Sequence, residues 1–227
     1  MEAALISLAA ANIAFVGTHF ALSHPLRAPV IRFLGPGGFQ LVYNLIAAIT
    51  LAWVYFAFVA APAGAPLWGG FGNAVWIVAS ALTMLGSVLF VGSVVCPNPA
   101  LPTPMAAKQA AGNPQGALRV TRHPMMWGFA LWACAHIVAA PTPRTLITMG
   151  AVLFLALVGA KMQDAKKRAA MGNAWKGWES RTSFVPRLSQ SGAIGIVPWV
   201  GGVLIWLAIT YAHIPAGGMA AGVWRWL

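Results

Sequence analysis

Carboxylates are nearly absent from this chain: Glu2, Asp164 and Glu179 are all it holds. Hydrolysis by paired acid and base carboxylates is therefore poorly supplied. The groups left to do chemistry are imidazole, thiol, indole and guanidinium, and they gather in one stretch. It reads Arg119-Val-Thr-Arg122-His123-Pro124, then runs without a charge through a Trp-rich apolar segment to His136. Ionisable side chains at the mouth of, or inside, a membrane span are costly to keep and need partners, so each is a functional candidate.

Four histidines bear on that chemistry: His19, His123, His136 and His213. His19 lies inside an apolar stretch, in helical register with Asn12 and Ser23, so a polar line should face the interior of a bundle. His213, beside Pro215, reads as an interfacial residue at a helix end. Neutral imidazoles among aromatic and aliphatic groups in a helical bundle suit haem iron. Zinc would ask for further protein ligands that are hard to find here. Arg119 and Arg122, three residues apart, would face one way on a helical extension and hold the haem propionates by paired hydrogen bonds. His123 and His136 lie about 20 Å and about 220° apart on a helix, so only one of them pairs with His19. Depth along the spans favours His123.

The elements that must position these groups are membrane helices. Of 227 residues, 59% are hydrophobic and 7% charged, with a mean hydropathy of +0.76. An ordinary soluble domain is about a quarter charged. Six charge-free stretches approach the length needed to cross about 30 Å of hydrocarbon: residues 3–22, 39–61, 73–95, 125–140, 145–160 and 192–214. The first lacks a basic leader and a cleavage pattern, so it is expected to stay as a helix. The net charge of +11 is not a nucleic-acid signal, because its positions follow topology. Basic residues crowd the connections after the first, third and fifth stretches, and only Arg144 follows the second or fourth. The positive-inside rule then puts three basic loops in the cytoplasm and both termini outside. Contact with anionic membrane lipid is expected there.

Between stretches three and four, the proline run from Cys96 to Pro104 should be extended, followed by a long loop that is either a binding element or flexible. Residues 163–181 read as a basic amphipathic helix lying in the cytoplasmic interface, anchored there by Trp175 and Trp178. Gln40 and Asn44 form a polar edge suited to bonding between helices, and the tail from Pro215 reads as an external aromatic-belt segment. Cys96 and Cys134 are too few for a disulfide framework and form no CxxC.

Val16-Gly-Thr-His19, Arg119-Val-Thr-Arg-His-Pro124, Trp132-Ala-Cys-Ala-His136, Asp164-Ala-Lys-Lys-Arg168 and Arg181-Thr-Ser-Phe-Val-Pro186 together resemble the NnrU family. Those are bacterial membrane proteins associated with nitrite and nitric oxide reduction, with the plant zeta-carotene isomerase as a relative. The likeness covers nearly the whole chain. For the isomerase branch it implies haem b, a cis-to-trans rearrangement of a conjugated polyene, and iron ligands at His19 and His136. That branch has a cysteine three residues before the second histidine, where this chain has Ala133, the thiol falling instead at Cys134. A weaker resemblance, carried by Arg122-His-Pro, Gly128, Asp164, Gly172, Trp175, Trp178 and Val185-Pro186, is to integral-membrane methyltransferases that use S-adenosylmethionine. Met126 and Gln163-Asp164 stand where those enzymes usually have a tyrosine and paired glutamates.

The expectation is thus an all-α, polytopic helical bundle of about six transmembrane helices plus a cytoplasmic amphipathic helix, one domain over residues 1–227. By the resemblance it sits in a bacterial inner membrane. Haem b is its expected cofactor, with His19, His123 and His136 as candidate ligands and Arg119 and Arg122 as candidate cofactor-binding residues. The haem would serve either rearrangement of a hydrophobic polyene or a supporting role in denitrification, and the sequence does not choose between them. S-adenosylmethionine chemistry, or a non-catalytic scaffold for nitric oxide respiration, are the alternatives.

Overall fold

A computed structural model describes residues 2–70, 72–217 and 219–227. Among the described residues it holds helices and connecting loops, with no strand. The long helices are α1 (Glu2–Ser23), α2 (Arg27–Ala60), α3 (Asn73–Val95), α7 (Pro143–Met171) and α9 (Ile196–Gly217). These five are long and apolar enough to cross a membrane, while α6 (Pro124–Ala139) is apolar but only 16 residues long. Between α3 and α6 lie the short α4 (Ala106–Ala111) and α5 (Ala117–Val120), and α8 (Asn173–Arg181) follows α7.

Sequence chemistry sets the boundaries. Pro124 and Pro143 open α6 and α7, where the missing N–H costs nothing. Gly35, at φ 70°, kinks α2 ahead of Pro36, so the chain between the first two spans includes a short helical arm, residues 27–34, leading into the second. Gly172, at φ 55°, separates α7 from α8. The basic helix expected over residues 163–181 is therefore two helices: α7 runs on beyond its apolar stretch, and α8 turns back from it.

The five long helices and α6 pack in the spatial order α2, α1, α7, α6, α3, α9, each mainly against its neighbours in that row. The α3 helix is the thin one. A Cβ on Gly86 would lie 2.8 Å from the Gly128 carbonyl oxygen, one on Gly128 2.7 Å from that of Gly86, and one on Gly202 2.5 Å from Cα of Val88. Backbones of α6 and α9 thus press on opposite flanks of α3, the small-residue packing that membrane helices use when lipid removes any hydrophobic preference for protein contact. Ile13, Leu45, Ile49, Phe56, Ile77 and Leu204 stay exposed on the outer faces, the apolar belt that hydrocarbon would cover.

The three basic connections share one end of the bundle. The His24 ring lies 3.4 Å from the Met162 carbonyl, Lys167 donates to the Leu101 carbonyl at 3.0 Å, and the Arg187 amide donates to that of Val120 at 2.8 Å. At the opposite end Leu67 N–H donates to the Pro141 carbonyl at 2.9 Å, and Arg144 to that of Ala61 at 3.0 Å.

The basic end is a folded cap. Trp175 and Trp178, expected to anchor in the membrane interface, are 0% and 1% exposed and form a core with Ala100, Ala110 and Leu118. The proline run is pinned too: Asn98 donates to Ser93 Oγ at 2.9 Å and accepts from the Ala100 amide, and Gln163 donates to the Ala100 carbonyl at 2.7 Å. The long loop is thereby ordered against α7 and α8. Gln40 and Asn44 hydrogen-bond to each other along α2 at 2.9 Å and remain exposed, rather than joining two helices.

Candidate functional site

Two clusters gather the chemistry-bearing residues. The first, at the basic end, centres on Asp164, where α7 has left its apolar stretch. Pro124 disfavours helical geometry at the residue before it, and His123 accordingly sits at φ −124°, ψ 56°, an elbow between α5 and α6. That elbow aims two consecutive side chains at α7. Arg122 donates from Nε and Nη2 to Asp164 at 2.9 and 2.7 Å, and His123 Nε2 donates to the other carboxylate oxygen at 2.7 Å.

The segment 182–187 straps the elbow down. Arg122 N–H donates to the Ser183 carbonyl at 2.8 Å, while Thr121 Oγ1 and Trp127 Nε1 both donate to that of Phe184 at 2.7 Å. The Phe184 ring meets His123 edge-on at 5.6 Å and lies under the Arg122 guanidinium at 5.5 Å. Glu179 completes the network, 3.7 Å from Arg122 and doubly bonded to Arg168 at 2.7 and 3.0 Å. Two of the chain's three carboxylates thus converge here.

Burial alone would push the Asp164 carboxyl up. The hydrogen bonds from His123 and Arg122, together with their charges, outweigh that and hold it below the usual carboxylate range. A bidentate guanidinium and an imidazole N–H saturate the carboxylate, so the cluster locks cap to bundle. His123 Nδ1 is left buried without a partner, as are the indole N–H groups of Trp175 and Trp178.

The second cluster lies far along α6, toward the end opposite the cap. His136 and His213 face across the gap between α6 and α9, ring centroids 6.2 Å apart and planes tilted by 32°. His136 Nδ1 donates to the Trp132 carbonyl and His213 Nδ1 to that of Ile209, each at 2.8 Å. Those bonds fix the tautomer and leave each Nε2 with its lone pair, the arrangement in which metal-binding histidines are usually held. A separation of about 6 Å between ring centres is what two imidazoles sharing one metal require, at about 2.0–2.1 Å from metal to each nitrogen. Two neutral imidazoles held in this way are a donor set that could take haem iron. Three or more His, Cys, Asp or Glu side chains placed to hold a bare metal ion occur nowhere among the described residues.

The remaining candidates lie apart from this pair. His19 Nδ1 donates to the Phe15 carbonyl at 2.7 Å and its ring meets Tyr43 at 5.6 Å, so it belongs to α1 and α2. With α7 packed between α1 and α6, His19 is brought together with neither His136 nor His123. Arg119 and Arg122 also diverge, Arg119 donating to Gln190 at 2.9 Å on the surface while Arg122 turns inward. Sequence reasoning met Asp164 only among the carboxylates and within the resembling motifs, and read His213 as an interfacial residue, so it gave neither a place in the site. Asp164 was signalled by scarcity, as one of three acids set beside a basic run. His213 was signalled by depth, because it lies as near the end of α9 as His136 does to the end of α6, and the two helices run the same way.

No curated protein and no solved structure matches the chain. The profile of one family, described as NnrU protein, matches residues 7–221. With nearly the whole of this helical, membrane-type bundle covered by that match, the chain belongs to the NnrU family.

Proposed function

We propose that this NnrU protein binds haem b within the bilayer, and that His136 and His213 would be the residues that hold its iron. The observation that carries the reading is two half-buried rings 6.2 Å apart, each with Nδ1 engaged and Nε2 free. Haem, when bound, supplies one-electron exchange with a conjugated partner. The chain's part is to hold the rings on two helices that α3 keeps at fixed spacing, and to wall the gap with the Trp132 ring, 4.7 Å from His136. The reaction we favour is cis-to-trans rearrangement of a hydrophobic polyene, which would reach such a gap from the lipid. A supporting role beside nitrite and nitric oxide reduction is the other use that the family brings.

The test is the protein purified in mild detergent and treated as a pyridine haemochrome. A Soret band and a haem b spectrum near one haem per chain are expected. A colourless preparation that stays colourless after incubation with haemin overturns the proposal.

One observation favours a second reading, methyl transfer from S-adenosylmethionine at the basic end. His123 Nδ1 and two indole N–H groups are buried there without partners, which suits a small polar ligand. Against it, both Asp164 oxygens are already taken. Labelled methyl transfer to lipid or thioether by the same preparation would promote this reading.

A further inference from the structure

A groove of about 740 Å³ lies at the basic end where the end of α1, the helical arm of α2 and the tail of α7 meet. Its walls are mostly apolar, with Ile31 and Ala169 among them, yet Arg27, Arg32 and Lys166 all line it. No carboxylate answers them. Of the chain's acids, Asp164 is held by Arg122 and His123, Glu179 by Arg168, and Glu2 begins α1 at the far end of the bundle. Among the described residues, none of the three cations makes an ion pair. Arg27 instead stacks on the Phe39 ring at 4.7 Å. His24, also on the wall, keeps Nδ1 buried and without a partner.

Three like charges drawn together without a counter-charge destabilise one another unless an anion joins them. Burial first, and the nearby Arg27 charge second, depress the Lys166 ammonium. A soluble anion would satisfy the charges but leave the apolar walls bare. A phosphodiester with acyl chains satisfies both, and basic pockets between membrane helices are where such headgroups bind.

We propose that this groove is a binding site for an anionic phospholipid, its phosphate held by Arg27, Arg32 and Lys166 and its acyl chains lying along Ile31 and Ala169. The site is separate from the His136–His213 pair, and its test does not depend on haem.

The experiment is native mass spectrometry of the full chain in detergent, titrated with phosphatidylglycerol, phosphatidylcholine or inorganic phosphate. Wild type is expected to retain phosphatidylglycerol in preference to phosphatidylcholine, with inorganic phosphate a poor competitor. Each of Arg27→Gln, Arg32→Gln and Lys166→Gln should weaken retention roughly fivefold, the usual yield of one basic side chain at an anionic surface. Removing as many as three charges elsewhere, by Lys108→Gln, Lys176→Gln and Arg187→Gln together, should leave it unchanged. Ala169→Trp, which fills the groove but keeps every cation, should also abolish it. Equal loss in the two charge-removal sets would show diffuse attraction and overturn the proposal. Full competition by inorganic phosphate would overturn it in favour of a plain anion site.

Discussion

At the scale of single residues, the most constrained group is Asp164, because one carboxylate answers a guanidinium and an imidazole that have little other recourse. Asp164→Asn keeps the shape but removes the charge, leaving the largely covered Arg122 with only the Glu179 carboxylate nearby at 3.7 Å. A loss of about 3 kcal/mol is expected, the lower end of the range for breaking a buried pair. Thermal unfolding in detergent measures it, and an unchanged midpoint would mean the cluster is not what locks the cap. The pH dependence follows from the same bonds. The folded carboxyl titrates below its unfolded value, so the unfolded chain binds more protons and stability rises with pH across the interval between the two. This contribution is fully present above the unfolded carboxylate value, near pH 4, and is lost as pH falls through the depressed one. Asp164→Asn should remove that slope.

At the scale of elements, α3 is the axle on which α6 and α9 are set, and its glycines fix how near they come. Gly128→Val would drive a branched side chain into the Gly86 carbonyl, where even Cβ has only 2.7 Å. We expect a destabilisation of about 1–3 kcal/mol from overpacking and a displaced His136, read as a lower melting point together with lost haem retention. Gly150→Val, on α7 with open space around its Cβ, is the matched control and should be near neutral in both. Element boundaries were legible where composition changes sharply: α3 begins and ends at the residues expected from hydropathy, and α6 is displaced by one. They were illegible where an element passes from lipid to water without changing conformation. The tail of α7 and the arm of α2 are polar continuations of spans, and a charge-free window stops short of both. Trp175 and Trp178 misled for a related reason: an amphipathic pattern shows that one face is apolar, not whether lipid or protein covers it.

At the scale of the whole molecule, charge placed the connections correctly relative to one another, since all three basic loops do share one end. What a linear pattern does not carry is the order of spans across the bundle, and that order decides which histidines meet. Resemblance implied His19 with His136, depth reasoning His19 with His123, and the row α2, α1, α7, α6, α3, α9 sets α7 between the two groups. Sidedness is open to direct measurement. With both native cysteines replaced, Lys108→Cys and Lys176→Cys should be protected from an impermeant thiol reagent in intact cells, and Gly69→Cys labelled. Labelling of Lys108→Cys and Gly69→Cys from the same side would remove the orientation drawn from charge.

The central claim is that the iron-binding pair is His136 with His213, and comparing absorption spectra of three single variants tests it most directly. His136→Ala and His213→Ala should each lose the low-spin spectrum of a six-coordinate haem, while His19→Ala retains it at full occupancy. A His213→Ala protein with an unaltered spectrum, alongside a colourless His19→Ala protein that remains folded, would contradict the account and return the iron to His19.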